Sequence, residues 1–272
     1  MRMFKNVLFM ALVAGLSLEL VVPQTGYTQK KGKGDLEDFA DDFGEEEDSD
    51  SGDSEEAIGF FIEVMFHHLV HMPQLWGGTP ETENGPYPSF PYAGGDGFMA
   101  TSNQHRSYFF TTEFNYHYIN EDLRSYIVKW ETQFMRRSKL SFDLAVYEED
   151  RIDDFGFIYK DHLTFFGFRY GYALFHSPQM ILNLEGGLRG FHRNSAHSGP
   201  EIALDLQLFP KRPLILETEI AAAYVSNGML LTVESSAGIA IGRFEILGGV
   251  RILKNKSSDL LDGFRVGLRV WY

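Results

Sequence analysis

The chain lacks two features that stabilise or anchor many exported proteins: cysteine and a long apolar run. None of its 272 residues is cysteine, which excludes disulfides and thiol chemistry. Beyond the N-terminus, no segment approaches the roughly 18 uninterrupted apolar residues that a transmembrane helix needs. The fold must therefore be stabilised without covalent crosslinks, by its own core or by a bilayer.

The first 29 residues have the composition of a secretory signal peptide. Arg2 and Lys5 supply a positively charged start, and an apolar core runs from Val7 to Leu18. That core is too short for a membrane span, so residues 1–29 are excluded from the fold. No clear motif of small residues marks where the signal would be cleaved.

Residues 30–56 begin with interleaved lysine and glycine and continue as an acidic tract. Thirteen acidic residues and no basic residue lie between Asp35 and Glu56, so the remainder of the chain is close to neutral. Repulsion between like charges predicts a disordered arm. The arm is either a solvated spacer or a binding segment, in which Leu36, Phe39 and Phe43 dock into a protein partner.

Two further segments precede the strands. Residues 57–76 have apolar residues at helical spacing, which predicts a short amphipathic helix. On this helix Glu63, His67 and His71 are spaced by four and would share one side, where they could hold Zn²⁺. The alternative is that these histidines lie at a membrane interface. Residues 77–105 have the Gly- and Pro-rich composition of a loop, which is either a linker or a segment that folds into the mouth of a barrel formed by the strands that follow.

From residue 106 to the end, a strand pattern with a period of two repeats about ten times. The predicted spans are 106–118, 124–135, 138–149, 162–175, 179–192, 200–210, 213–226, 229–241, 243–254 and 262–272. These strands are long for a globular protein and have the length that a tilted strand needs to cross a bilayer. Short connections after the even-numbered strands and mostly longer ones after the odd-numbered strands indicate hairpins of an up-and-down barrel.

Charge is confined to one face of these strands. The other face is uncharged and rich in aromatic residues, as lipid-facing belts are. A soluble barrel would show the same alternation with the opposite orientation, but the strand length and aromatic content favour lipid. The residues predicted to form an inward charge network are Glu113, Lys129, Glu131, Asp143, Arg169, Glu185, Arg189, Asp205, Glu217, Glu219, Glu234, Glu245, Arg251, Arg265 and Arg269.

The last strand ends on an aromatic residue and carries a short terminal pattern. Arg265, Gly267, Val270 and Tyr272 follow the order polar, glycine, apolar, terminal aromatic. In this pattern the chain resembles the outer-membrane β-barrel proteins of Gram-negative bacteria, whose last strand is read by the barrel-assembly machinery. The resemblance implies an outer-membrane location, a lipid bilayer as surroundings, and the export and barrel-assembly machinery as partners. It identifies no subfamily.

The sequence thus predicts an all-β fold: a transmembrane antiparallel up-and-down β-barrel of about ten strands over residues 106–272. Eight or twelve strands are the alternatives if a hairpin has been split or missed. An even strand count places a periplasmic N-terminal arm and the C-terminus on the same side. No cofactor is predicted, and no basic patch or phosphate loop indicates nucleic acid or nucleotide.

Three functions remain open at this stage. The first is a closed, salt-bridged barrel with a structural or partner-binding role, because the inward acids and bases would pair with each other. The second is a narrow channel for small solutes or ions, lined by the same charges. The third is a lipid-modifying enzyme, as some small outer-membrane barrels are, with Ser195 or Ser198 beside His192 and His197 in one loop. No nucleophile-elbow motif accompanies these residues.

Overall fold

The computed structural model describes residues 35–41, 87–88, 90–93, 97, 108–134, 137–152, 157–193, 196–226, 228–255 and 260–272. One short helix, α1, spans Asp35–Asp41. The strands are β1 (Tyr108–Tyr118), β2 (Leu123–Phe134), β3 (Ser138–Ile152), β4 (Ile158–Ser177), β5 (Met180–His192), β6 (Ala196–Lys211), β7 (Leu214–Val225), β8 (Gly228–Ile241), β9 (Phe244–Lys254) and β10 (Leu261–Trp271). The predicted number of ten strands is confirmed.

The ten strands form one closed antiparallel barrel in which each strand pairs with its neighbours in sequence. The barrel closes where β1 pairs with β10, from Thr111 opposite Trp271 to Tyr118 opposite Phe264. An up-and-down topology follows from hairpins alone, without any crossover, and closure leaves no strand edge along the wall. The predicted fold class is therefore confirmed.

The β3–β4 hairpin is longer than predicted. Residues 148–161 were expected to form a loop, but the strand pairing continues to Ile152 opposite Ile158. Ion pairs join the two strands of this extension, with Arg151 Nη1 3.6 Å from Asp161 Oδ2 and Lys160 Nζ 3.6 Å from Glu148 Oε2. The acidic and basic residues that suggested a polar loop therefore act as cross-strand partners.

The barrel has two distinct ends, which we name the turn end and the loop end. The turn end carries the four tight turns that follow β2, β4, β6 and β8. In each turn a backbone carbonyl accepts a hydrogen bond, at 2.7–2.8 Å, from an amide near the end of the following even-numbered strand; the pairs are Arg137–Ala173, Gln179–Phe209, Pro213–Ala240 and Arg243–Trp271. The loop end carries the connections that follow the odd-numbered strands.

Apolar side chains cover the outside of the barrel and charged side chains fill its inside. On β10, Phe264, Val266 and Leu268 are 73%, 56% and 41% exposed. Arg265 and Arg269, on the opposite face of the strand, are only 3% and 2% exposed. A water-soluble protein buries its apolar side chains and exposes its charges. The reverse arrangement is that of a barrel with lipid outside and a polar interior.

Helix α1 lies inside the loop end, which corrects the prediction for this part of the acidic tract. Disorder was expected here, but Leu36 and Phe39 are buried in one cluster with inward-facing residues of eight strands. The three-residue spacing of these two side chains puts them on one face of a helix. Burial of that face outweighs the charge repulsion on which the prediction of disorder rested.

Two other predictions are affected by where the described residues lie. The arm and the C-terminus were predicted to share one side, but α1 lies at the loop end and Tyr272 lies at the turn end. The helix predicted over residues 57–76, with Glu63, His67 and His71, lies outside the described residues, so it stays a prediction. Among the residues that the structure does describe, no helix is long and apolar enough to cross a membrane.

Candidate functional site

A belt of buried charge fills the middle of the barrel. All fifteen charged residues predicted to face inward are buried there, each at most 6% exposed. The structure adds two that the sequence reasoning missed, Lys139 and Glu201, which are equally buried. We call these seventeen residues the charge belt. Most of them are joined by direct ion pairs, so the belt is a network rather than a lining of separate charges.

Arg169 on β4 is the most highly connected cation of the belt. Its Nη1 and Nη2 donate to the two carboxylate oxygens of Glu219 at 2.7 and 3.1 Å. Its Nε lies 3.3 Å from Glu185 Oε2 and 3.9 Å from Glu201 Oε2. A guanidinium presents donors in a planar fork, so one side chain on β4 can connect carboxylates of β5, β6 and β7.

Other ion pairs cross the lumen from wall to wall. Lys129 on β2 donates a hydrogen bond to the Glu234 carboxylate on β8. The same carboxylate lies 2.8 Å from Arg265 Nη1 and 3.0 Å from Arg251 Nη1. Lys129 Nζ further lies 3.9 Å from Glu219 Oε2 on β7. Because β2 lies across the barrel from β7 and β8, the Lys129 side chain and its partners occupy the space that a pore would need.

Lys139, which the sequence reasoning missed, is a second centre of the belt. Its ammonium lies 2.8 Å from Asp205 Oδ2, 2.9 Å from Glu131 Oε1 and 2.9 Å from Glu185 Oε1. The signal was present in the sequence, because Lys139 has the same parity on its strand as Asp143, which was predicted to face inward. Glu201 shares its parity with Asp205 in the same way, and it pairs with Arg189 at 3.1 Å.

The terminal pattern occupies both faces of β10. Arg265 and Gly267 face inward, and Arg265 belongs to the charge belt. Gly267 has no room for a side chain, since a Cβ there would come within 2.1 Å of Asn115 Oδ1. Tyr272 is half exposed at the turn end, where its amide donates to the Phe110 carbonyl at 2.9 Å. The residues of the pattern therefore close the barrel, and their recognition by assembly machinery stays a prediction.

An apolar cluster lies above the belt at the loop end; we call it the loop-end cap. Around Leu36 and Phe39 of α1 it gathers inward-facing residues that include Tyr147, Phe165 and Phe191. The Phe39 ring meets the Phe165 ring edge-on at 6.0 Å between centroids. The cap thus seats α1 among side chains from most of the barrel wall.

One carboxylate fixes the start of α1 in the loop-end cap. Glu149 on β3 accepts hydrogen bonds from the backbone amides of Asp35 at 2.8 Å and Leu36 at 3.3 Å. The first amides of a helix have no partner within the helix, so a carboxylate at this position stabilises it. Glu149 was not among the predicted site residues, because nothing local to it in the sequence signals a partner more than a hundred residues away.

A second apolar cluster, the turn-end cap, lies below the belt. Tyr87 and Tyr92 pack there among inward-facing residues such as Phe109 and Trp271, whose rings stack at 5.5 Å. The Tyr92 hydroxyl donates to the Leu214 carbonyl. Burial, with a contribution from the nearby Glu245 carboxylate, raises the pKa of Tyr92 to about 12, so this hydroxyl keeps its proton at neutral pH.

The predicted serine and histidine candidates lie at the loop end. His192 ends β5, and His197 and Ser198 begin β6, whereas Ser195 lies outside the described residues. The His197 ring stacks on Phe191 at 5.1 Å between centroids, which places it against the loop-end cap. This position gives His197 a packing role.

The fold and the inverted distribution of polarity define the class of the protein: it is a transmembrane antiparallel β-barrel protein. No protein-family model and no curated protein sequence matches the chain. Among solved structures it is similar to the beta domain of the Bordetella autotransporter BrkA, at 7% identity and a TM-score of 0.36, covering 60% of this chain and 98% of that one.

Two further structures show a comparable likeness. The KdgM porin has 9% identity and a TM-score of 0.35, with 59% of this chain and 98% of that chain covered. The Yersinia pestis outer membrane protein Ail has 8% identity and a TM-score of 0.34, with 61% and 98% covered. Identities and TM-scores this low transfer no function to the present chain.

Proposed function

We propose that the protein is a closed outer-membrane barrel that does not conduct solutes and acts as a membrane anchor, presenting its N-terminal residues and loops to a partner. The observation that carries the proposal is the filled lumen. Ion pairs cross the middle of the barrel, and residues from the N-terminal region occupy both caps. Such an interior suits a structural or binding role better than transport.

The charge belt supports a lumen that stays closed. Opening a path would separate several buried ion pairs at once, and an unpaired buried charge costs several kcal/mol. Arg169 and Lys139 each hold three or more carboxylates, so the movement of either side chain would leave several acids without a counter-charge. A barrel of this size has space for its own side chains and for little else.

The proposed orientation has the turn end in the periplasm, because short turns are typical of that side. Helix α1 then lies at the outer mouth of the barrel, on the side opposite Tyr272. Leu36 and Phe39 are already buried in the loop-end cap, so the partner-binding role proposed for the acidic arm falls to its other residues. The proposal keeps the lipid bilayer and the export and assembly machinery as further partners.

Planar-bilayer recordings test the closed lumen. We expect the purified protein to show no sustained steps of ionic current. We expect the same of the Phe39→Glu variant, which should displace α1 while leaving the charge belt intact. Sustained steps in the unaltered protein would support the alternative, a narrow channel for small solutes or ions. Current steps that occur in the Phe39→Glu variant but not in the unaltered protein would instead mean that α1 alone closes the lumen.

Single-cysteine labelling tests the orientation of the barrel in the membrane. Because the chain has no native cysteine, an introduced cysteine is the only thiol that the reagent can label. A bulky maleimide-polymer, too large to cross the outer membrane, should label Asp35→Cys on intact cells and Arg243→Cys only after permeabilisation. The reverse result would place the turn end outside. Lipid analysis with Ser195→Ala and Ser198→Ala tests the enzymatic alternative, since unchanged lipid in both would remove it.

A further inference from the structure

The exposed charges at the two ends of the barrel differ in kind. At the turn end, Arg137, Lys211, Arg212 and Arg243 are all exposed, and the described residues of the four turns include no acidic side chain. We call these four residues the basic rim. At the loop end, acids such as Glu121 and Asp122 lie among the bases. Among the side chains that the structure describes, therefore, only those of the four turns present charge of a single sign.

The bases at the two ends also differ in what they contact. At the loop end, Arg124 lies 3.4 Å from Glu148 and 3.3 Å from Asp150, and Arg193 lies 2.8 Å from Asp161. Within the part of the chain that the structure describes, no residue of the basic rim has a carboxylate partner. The described residues thus leave the positive charge of the rim without a carboxylate partner, whereas Arg124 and Arg193 at the loop end are paired.

The rim lies at the edge of the lipid-facing surface. The Arg137 guanidinium sits over the Tyr172 ring, 5.8 Å from its centroid, and Nη1 donates to the Tyr172 hydroxyl at 3.5 Å. Arg243 precedes Phe244, which is 53% exposed on the outer face, and Arg212 lies two residues before Leu214, which is 45% exposed. Aromatic and apolar residues at this depth mark the boundary between acyl chains and headgroups.

The backbone holds the rim in place. The carbonyls of Arg137 and Arg243 accept hydrogen bonds at 2.7 and 2.8 Å from Ala173 and Trp271, and the carbonyl of Pro213, next to Arg212, accepts one at 2.8 Å from Ala240. The turns that carry the rim are therefore anchored at defined places around the barrel, although the exposed side chains extend from them into the surroundings.

We propose that the basic rim binds the phosphate groups of anionic phospholipids in the leaflet on the turn side. Each Lys or Arg near such a surface contributes favourably to the attraction of anionic lipid, and a guanidinium can engage a phosphate with two donors. The occupant is a lipid headgroup because the rim borders the lipid-facing residues directly. This inference rests on the proposed membrane placement of the barrel.

Electron spin resonance with spin-labelled lipids tests the proposal on the full chain reconstituted in phosphatidylcholine vesicles. Spin-labelled phosphatidylglycerol should associate with the protein about fivefold more strongly than spin-labelled phosphatidylcholine, which is the factor expected from about one rim contact per lipid. The quadruple variant Arg137→Gln, Lys211→Gln, Arg212→Gln and Arg243→Gln should reduce this preference to about onefold. High salt should weaken it in the unaltered protein.

A matched control removes four positive charges from the loop end instead, with Arg124→Gln, Lys160→Gln, Arg193→Gln and Lys254→Gln. This variant should keep the full preference for phosphatidylglycerol. If both variants lost the preference equally, the effect would be due to net charge, and the proposal would be overturned. Equal association of both lipids with the unaltered protein would overturn it too.

The same samples separate this inference from the proposed function. Heat-modifiable migration of the folded barrel on gels reports insertion independently of lipid preference. A protein that fails to insert would contradict the membrane placement, whereas an inserted barrel without preference would contradict the basic rim alone.

Discussion

The loop-end cap and the turn-end cap close the same barrel with residues from the same N-terminal region, but they do so by different means. At the loop end, a seven-residue helix inserts Leu36 and Phe39 and is fixed at its start by the Glu149 carboxylate. At the turn end, two tyrosines pack among the aromatic side chains of Phe109, Phe209 and Trp271, and the Tyr92 hydroxyl donates to a backbone carbonyl.

The difference predicts unequal strength. The loop-end cap depends on a short helix with few residues of its own, and an isolated helix of this length is unstable without its contacts. The N-terminal region contributes two aromatic side chains, Tyr87 and Tyr92, to the turn-end cap, but one aromatic and one aliphatic side chain, Phe39 and Leu36, to the loop-end cap. Aromatic side chains contribute more per residue than aliphatic side chains do. We therefore expect α1 to be released more readily than Tyr87 and Tyr92, so that the loop end is the more easily opened side.

The largest effect is expected in the charge belt, which separates the caps. Arg169→Met should lower the free energy of unfolding by about 3–5 kcal/mol, because it leaves Glu219 and Glu185 buried without their guanidinium. Arg124→Met, which removes the ion pairs with Glu148 and Asp150 on the outer face, should cost no more than about 1 kcal/mol. Urea unfolding of the detergent-folded barrel measures both changes. Similar costs in the two variants would argue against a tightly paired interior.

The next effect concerns the turn-end cap alone. Tyr92→Ala should weaken this cap by about 3 kcal/mol, since it removes a buried aromatic side chain and its hydrogen bond. A reporter thiol at Tyr87→Cys should then react faster with a small maleimide, while one at Leu36→Cys should react at an unchanged rate. If both thiols became faster together, the two caps would be one cooperative unit and the contrast between them would not hold.

A smaller effect is expected at the start of α1. Glu149→Ala removes the carboxylate that accepts two backbone amides, which should weaken docking of the helix by about 1–2 kcal/mol. Labelling of Leu36→Cys should accordingly become roughly tenfold faster. Glu148→Ala is the matched control, because the neighbouring side chain faces outward toward Arg124. Equal acceleration by the two variants would contradict the assigned role of Glu149.

The smallest effect concerns the Tyr92 hydroxyl. Its pKa is raised from 10.0 to about 12, so the stabilising contribution of the neutral form is complete below pH 10 and is lost as the pH rises toward 12. The ultraviolet difference titration between the unaltered protein and Tyr92→Phe should show one phenol that ionises near pH 12. A midpoint near 10 would mean that the hydroxyl is exposed to solvent. At neutral pH the variant should lose about 1 kcal/mol, the value of one hydrogen bond.

The strand pattern was predictable because lipid imposes a simple rule on each residue. In a barrel every second side chain faces the lumen, so a period of two and the positions of the charges suffice to assign both faces. The same rule extends to Lys139 and Glu201, each of which is the second residue of a predicted strand and has the parity of an inward-facing charge on that strand.

The position of α1 was not predictable in the same way. Leu36 and Phe39 were recognised as apolar points that could dock, but their binding site is assembled from eight strands that are distant in the sequence. Local charge density favoured disorder, and no local signal opposed it. Contacts that depend on closure of the barrel cannot be read from the composition of one segment, and Glu149 was missed for the same reason.

The junction between the first and last strands has a consequence for how the molecule is made. Glu113 on β1 meets Arg265 and Arg269, which lie 152 and 156 residues away on β10. Until the final strand arrives, this carboxylate has neither arginine, and a partly built sheet would hold a buried acid without its cations. Contacts so distant in sequence form slowly. Maturation should consequently be abrupt, with completion of the cylinder and neutralisation of its interior occurring in a single late event.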